Sequence, residues 1–527
     1  MGRSDNISIR NNKQTIWQII SFAGVLILLC IVRWNSFSAP FERDEGEYSY
    51  SAWLLQQKMM PYEHSFLQKP PMIVYTYLLG QVIAGDSVLP PRIFAFLSIG
   101  LSTILIGLSI AKLYSKWAGH ATMWFMTPML AHPALAPFAA NTEIFMILPL
   151  SVVLFIYAQT GEEAKNVHWI IAGISSAVAV LFKPIAVFVL LFIFIIWLYQ
   201  VWKSKRGSTT IVKSTSLVIT AGMITTILAL LPFLLHDSGR SLWECVVKYN
   251  YSYATADNTG SNPFVFFLTT FLKEWWILFI LLVWFFIKRQ KHWWIVACIF
   301  IISLLSVYRA GSGHYYIMVI PFWAAIVAVA VEAIVRSFPH YFHEKSAIKK
   351  LGISVVVMVL LILPVHKQFF LSPEELVSLV YGSDRNPFLE ARSVARHVSE
   401  LSNPADYVFV AGSEPQILYH AQRRSSSRFV IMYPLMINTP FALNYHRETI
   451  ASLKNNVPEI IVFVRSQNSW LMQRESPRVL IDYLNQLIKR DYRLAGGWNY
   501  ETKEWYDMSD EKMTTKCSIV VYKKKSS

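Results

Sequence analysis

Eleven apolar runs fill most of the first 370 residues, near 16–34, 90–113, 119–137, 143–159, 168–182, 184–202, 211–235, 265–287, 292–308, 315–334 and 351–370. A helix needs roughly 17 to 25 mostly apolar residues to cross a bilayer, and several of these runs reach that length. The rest of the chain offers no surface to make such runs soluble: 54% of the 527 residues are hydrophobic and only 15% are charged. The expected fold is a polytopic α-helical membrane protein of about 11 spans, 12–13 as the upper count. A C-terminal extracytoplasmic α/β domain follows it.

The first run, "IWQIISFAGVLILLCIV" (Ile16 to Val32), is preceded by Arg3, Arg10 and Lys13. It exceeds the roughly 7 to 15 apolar residues of a signal peptide, so it reads as a retained span. "MIVYTYLLGQVIAG" (Met72 to Gly85) is too short to cross comfortably and carries Gln81. Charge settles its role. If it stays on one side and the N-terminus is inside, the basic loops 112–116, 203–213, 288–292 and 336–350 all face inward. That is the positive-inside pattern, and a crossing at Met72 would move all four outside. The outer face then collects the loop 35–89, the loop 236–264, "YRAGSGHYY" (308–316) and everything after Phe370.

The formal net charge of +15 belongs to this loop pattern, so nucleic acid is not an expected partner. Cys30, Cys245, Cys298 and Cys517 have no metal-like spacing. A Cys245–Cys517 bridge is compatible with both lying outside, but nothing requires it. The chain therefore divides into a transmembrane domain, 1–370, and an α/β domain, 371–527. In the tail "DYVFVAG" (406–412), "RFVIMY" (428–433), "EIIVFV" (459–464) and "SIVVYK" (518–523) read as buried strands. "FLEARSVARHVSEL" (388–401) and "RVLIDYLNQLIKR" (478–490) read as helices. No G-x-G-x-x-G follows a strand, and no P-loop, H-E-x-x-H or G-x-S-x-G occurs, so dinucleotide binding and the common hydrolase chemistries are not expected.

The outer face carries the chemistry. "PFERDEGEYSY" (Pro40 to Tyr50) crowds Glu42, Asp44, Glu45 and Glu47 together just after the first span. Asp44 and Glu47 share a helical face, so Asp44 can act as an N-cap with Glu47 as its capping-box partner. That leaves Glu42 and Glu45 unexplained, and like charges this close raise one another's pKa. In "LQKPPM", two prolines hold Lys69 in extended backbone, where a fixed ammonium suits a phosphate, or simply marks the membrane edge. Glu143 in "NTEIFMILPL" opens a span, where a carboxylate also complements the helix dipole. Lys183 precedes Pro184 between two spans with almost no loop. Arg309 and His314 flank two glycines, an arrangement able to hold an anion or to turn the chain between spans.

Together, "RDEGEYSYSAWLLQQKMMPY", "QKPPMIVYTY", "NTEIFMILPL", "FKP" and "GHYYIMVIPFW" resemble the GT-C class of membrane glycosyltransferases. The likeness is to the branch holding protein O-mannosyltransferases and bacterial aminoarabinose transferases, and it covers nearly the whole chain. It implies an inverting transfer of a monosaccharide from a polyprenyl-phosphate-linked donor to a hydroxyl of a lipid, glycan or protein acceptor. By position it assigns the acidic pair of the first external loop to Asp44 and Glu45, with Asp44 the general base. Glu143 falls at the second acidic position. Lys69 matches the lysine that grips the donor phosphate, with Lys183, Arg309 and His314 as further candidates. Gln68 stands where the aminoarabinose branch has an acidic residue, so no metal site is carried over and no cofactor is expected. The implied setting is a bacterial inner or plasma membrane, with the N-terminus cytoplasmic and membrane lipids around the spans. A lipid-linked saccharide transporter and a non-catalytic membrane scaffold are the rival functions. The chain lacks the inverted repeats common in transporters.

Overall fold

The computed structural model describes residues 2–204, 208–255, 263–307, 312–337, 346–382, 386–499, 501–507 and 511–526. The first seven long helices are α1 (Gly2–Arg33), α2 (Arg43–Gln56), α3 (Met72–Ala84), α4 (Leu89–Leu113), α5 (Lys116–Met129), α6 (Thr142–Thr160) and α7 (Asn166–Phe182). Among the described residues, seven helices are long and apolar enough to cross a membrane by length and composition. They lie at Gln18–Ser36, Leu89–Leu113, Thr142–Glu163, Ala186–Lys203, Ser208–Leu235, Val265–Lys288 and Ile320–Ser337. Met72–Ala84, Asn166–Phe182, Trp293–Ser306 and Lys350–Ile362 are shorter apolar helices. With the sheet in its tail, the chain is a polytopic membrane protein carrying a C-terminal α/β region.

One expected span does not form. Across 119–137 the chain makes only the end of α5, with Pro128 in its last turn, and then a 3-10 turn, Pro133–Leu135. Prolines 128, 133 and 137 offer no backbone N–H, so apolar composition alone does not carry a helix through this stretch. The run at 351–370 likewise stops at Ile362, and His366–Phe370 is a separate 3-10 turn after Pro364. Helix α3 has 13 residues. At about 1.5 Å per residue it is roughly 20 Å long, short of the ~30 Å hydrocarbon layer.

The chain packs as two compact units. One comprises residues 1–37, 93–226 and 261–371, the other 38–92, 227–260 and 372–527. The cut therefore differs from a contiguous division after residue 370. The second unit gathers three of the segments expected on the outer face, the loop after the first span, the stretch beginning at Ile227 and the tail, whereas the segment holding His314 belongs to the first unit.

Its sheet has six strands: β1 (Tyr407–Ala411), β2 (Arg424–Ser425), β3 (Ile460–Val464), β4 (Tyr492–Asn499), β5 (Glu504–Tyr506) and β6 (Cys517–Lys524). Their order is β2-β1-β3-β6-β4-β5, with β1 parallel to β2 and β3 and the remaining pairs antiparallel. Three of the four expected strands form, as β1, β3 and β6, and β2, β4 and β5 are additional. The fourth, 428–433, is buried but makes no ladder. Side chains satisfy its backbone instead: Phe429 N donates to Ser427 Oγ and Met432 N donates to Ser413 Oγ. Strand pairing ends one turn earlier, at Arg424–Ser425. All four cysteines are free thiols, Cys245 and Cys517 included.

Arg428 ties distant parts of this unit together. Its Nε and Nη2 donate to the two carboxylate oxygens of Glu448 at 2.6 and 3.0 Å, and Nη2 also donates to Glu244 at 3.1 Å. The guanidinium lies 5.1 Å from the rings of both Phe66 and Phe429. A lysine cannot reproduce a planar fork stacked on aromatics. Because Glu448 is 40% exposed, the pair is worth less than a fully buried one. Arg428→Lys is expected to lower stability by about 1–3 kcal/mol, read as a fall in Tm by scanning fluorimetry in detergent.

Candidate functional site: two clusters of ionisable side chains

The first cluster belongs to the unit containing the tail, and it starts with the way α2 begins. Glu42 has extended backbone, and its side chain accepts the Glu45 N–H at 3.1 Å, while the Glu45 side chain accepts the Glu42 N–H at 3.3 Å. This reciprocal capping box satisfies two donors at the helix start. It sits two residues ahead of the cap that the spacing of Asp44 and Glu47 pointed to. Those two side chains are thereby left to other roles.

Glu45 is fully buried. Its Oε2 accepts from Arg92 Nη2 at 2.6 Å, with neither side chain exposed, and its Oε1 accepts from Tyr77 OH at 3.4 Å. A carboxylate committed to a cap and a buried ion pair is positioned to hold the fold rather than to meet a substrate. Arg43 anchors the same turn: it donates to Ser413 O at 2.6 Å and to Glu414 Oε1 at 2.9 Å, between the rings of Phe388 and Tyr433. Gly46 is needed for close packing here, since a Cβ on it would lie 2.7 Å from the backbone N of Gln416.

Asp44 is half-buried, and its carboxyl has no hydrogen bond or ion pair among the described residues. Glu47, one turn later, is only 4% exposed, and its Oε1 has no hydrogen-bond partner among them. Burial, helped by the Asp44 charge and opposed by Lys69, pushes the Glu47 carboxyl up to about 8. Burial and the neighbouring Asp44 and Glu45 charges likewise push Glu42 well above the usual carboxylate range.

Lys69 is half-buried in the same unit. Its segment is pinned on both sides: Tyr62 OH donates to Lys69 O at 3.0 Å, and Asn250 Nδ2 donates to Gln68 O at 2.7 Å. Pro70 and Pro71 then lead straight into α3. Asp44 and Lys69 are near enough for both to act on Glu47.

The second cluster belongs to the other unit. Glu143 sits in the first turn of α6, Lys183 caps the end of α7, and His314 lies in the 3-10 turn Gly313–Met318. Lys183 Nζ donates to Glu143 Oε1, and His314 Nε2 is 3.6 Å from the same oxygen. Thr142 Oγ1 donates to Glu143 Oε2 at 3.0 Å. The Lys183 ammonium also lies 3.3 Å from the centre of the Tyr315 ring. Glu143, Lys183 and His314, far apart in sequence, are thus brought together. Arg309 lies outside the described residues.

Sequence reasoning did not single out Arg92, Arg43, Tyr62, Asn250 or Tyr315, whose roles depend on partners far along the chain. Glu47 was visible only as a possible cap. Among the described residues no group of three or more His, Cys, Asp or Glu side chains is arranged to hold a metal ion.

The family model described as dolichyl-phosphate-mannose-protein mannosyltransferase matches residues 68–236. That stretch includes Lys69, Glu143 and Lys183 but not Asp44. No curated protein matches the chain in sequence. In three dimensions the chain is similar to the crystal structure of ArnT from Cupriavidus metallidurans in the apo state. The two are 12% identical with a TM-score of 0.59, covering 97% of this chain and 98% of that one. ArnT bound to undecaprenyl phosphate gives 13% identity, a TM-score of 0.59 and coverage of 96% and 98%. The archaeal oligosaccharyltransferase AglB from Archaeoglobus fulgidus, in complex with an inhibitory peptide and a dolichol-phosphate, is 10% identical with a TM-score of 0.55. That match covers 95% of this chain and 75% of AglB. The chain has the fold of the GT-C class and resembles its O-mannosyltransferase and ArnT branch.

The two acids of the expected pair should separate on substitution. Glu45→Gln leaves Arg92 buried without its counter-charge and is expected to cost about 3–5 kcal/mol. Asp44→Asn, at a half-exposed site, is expected to change stability by less than about 1 kcal/mol. Thermal unfolding of the two variants side by side checks this.

Proposed function

We propose that this chain is a glycosyltransferase that moves one sugar from a polyprenyl-phosphate-linked donor to an acceptor hydroxyl. The observation that carries this reading is that Asp44 and Lys69 fall in one packed unit and both act on Glu47. A carboxylate without a structural partner and an ammonium on a pinned segment both bear on the same buried Glu47. The solved complexes of ArnT with undecaprenyl phosphate and of AglB with a dolichol-phosphate support a lipid phosphate as the donor's carrier.

In this reading Asp44 is the general base. As the acceptor oxygen attacks the anomeric carbon, its proton passes to the Asp44 carboxylate, which requires an approach to about 3 Å. The bond from that carbon to the phosphate oxygen breaks, and the polyprenyl phosphate leaves with the bonding electrons. Lys69 offsets the charge that grows on the leaving phosphate. A single displacement inverts the anomeric centre, and the proton on Asp44 returns to solvent. Glu45 supports the base through the helix start rather than acting on the substrate. Glu143, already paired with Lys183, serves as a positioning residue that orients the acceptor or steadies positive charge on the sugar. Lys183, His314 and Arg309 are the remaining candidates for the phosphate.

The sugar is a hexose or pentose, and the acceptor is a lipid, glycan or protein. The positive-inside pattern of the basic loops supports a cytoplasmic N-terminus and an outer tail, and the setting in this reading is a bacterial inner or plasma membrane. Native mass spectrometry of the purified protein tests the donor site. A co-purifying polyprenyl phosphate, bare or sugar-linked, is expected in the wild type and is expected to fall at least about tenfold in Lys69→Ala. Bulk phospholipid alone, unchanged by the substitution, would count against the reading.

A further inference from the structure

The buried carboxyl of Glu47 has no part in the transfer as drawn above. It projects from α2 one turn after Asp44, is 4% exposed, and leaves Oε1 without a hydrogen-bond partner among the described residues. An ionised carboxylate there is poorly solvated and depends on a nearby cation or on a proton. Two charged groups of the same unit act on it: Asp44, on its own helix, repels, and Lys69, on the segment ahead of α3, attracts. The Glu47 charge also reaches Tyr62 and Cys245. Burial holds both of these well above their ordinary values, so neither changes charge near neutral pH. Glu47, Asp44 and Lys69 therefore make up the set that responds.

Lys69 cannot serve Glu47 and a phosphate equally. When a phosphate takes the ammonium, Glu47 loses compensating charge and gains an anionic neighbour. Asp44, one turn earlier on the same helix, already disfavours its charge. A proton from solvent then removes the conflict.

We propose that binding of a lipid phosphate at Lys69 is coupled to uptake of one proton by Glu47, which makes Glu47 a neutral acid one helical turn from Asp44 in the loaded site. The proposal rests on Lys69 as the phosphate ligand. The only bond formed is the carboxyl O–H, with the proton drawn from solvent and returned when the phosphate leaves. Glu47 is thus a positioning residue that sets the charge of the site.

The pH window follows from the empty state, in which Glu47 titrates at about 8. Below that pH it is already protonated and binding takes up little. Above it the empty site is ionised while the loaded site, titrating higher, still holds the proton. The loaded form has more protons in this window, so affinity falls as pH rises through it. A phosphate monoester, with a second pKa of about 6, is fully ionised in that window.

The test is isothermal titration calorimetry of the full-length protein in detergent, with undecaprenyl phosphate as the probe. Measurements at about pH 8.5 in two buffers of different ionisation enthalpy report the protons taken up, with roughly half a proton expected. The wild-type Kd is expected to rise by roughly three- to fivefold between about pH 8 and 9. Glu47→Gln is expected to bind with a Kd that varies less than about twofold over that range and with no buffer-dependent heat. If binding weakens in Lys69→Ala while the wild type takes up no proton, the coupling is overturned and the phosphate site stands. Uptake that persists undiminished in Glu47→Gln overturns it as well. If Lys69→Ala binds as tightly as wild type, the phosphate assignment fails and the coupling fails with it. The wild-type measurement needs no variant, so poor folding of Glu47→Gln does not remove the test.

Discussion

The buried ion pair between Glu45 and Arg92 fixes the start of α2, and the layout of the acidic cluster depends on it. Both side chains are fully buried, so neither charge is tolerable without the other. Because Glu45 also closes the capping box with Glu42, the pair sets where the helix begins as well as how it is rotated. Once that rotation is fixed, Asp44 stands half-exposed in the first turn and Glu47 faces inward a turn later. A helix started two residues downstream would have used Asp44 as a cap and tied up its carboxylate.

The two clusters differ in how they balance charge. In one unit Glu143 is matched by Lys183 with His314 alongside, and the ammonium is further stabilised against the Tyr315 ring. In the other, Glu42, Asp44 and Glu47 crowd together after Glu45 is paired, with Arg43 acting on Glu42 and Lys69 on Glu47. Burial answers that crowding by raising the Glu42 and Glu47 carboxyls. A base must be both ionised and reachable, and among these acids Asp44 alone is more than marginally exposed.

The tail contributes to this arrangement directly. Arg43 reaches Ser413 and Glu414 across about 370 residues of sequence, and Gly46 lets α2 approach Gln416 more closely than any side chain would allow. Ser425 N donates to Tyr50 OH at 2.8 Å on the same helix. The α/β region is thus a buttress for the acidic turn. The loop after the first span and the tail accordingly fall in one compact unit.

Much of this protein was written locally. Apolar runs set the membrane class and the positions of most spans, because crossing a bilayer is a matter of length and hydropathy within one segment. Proline fixed the Lys69 segment and also ended the run at 119–137 early, a signal that composition had hidden. Buried strands at β1, β3 and β6 were legible from their apolar runs, whereas 428–433 had the same composition and found side-chain partners instead of a ladder. Local spacing also marked Asp44, Lys69, Glu143 and Lys183 as the groups to watch. It could not say which carboxylates would be structural. The partner of Glu45 is 47 residues away, that of Glu143 is 40, and those of Arg43 lie in the tail. Pairing and burial are properties of long-range packing, and only the tertiary structure separates an acid that holds the helix from one left to do chemistry.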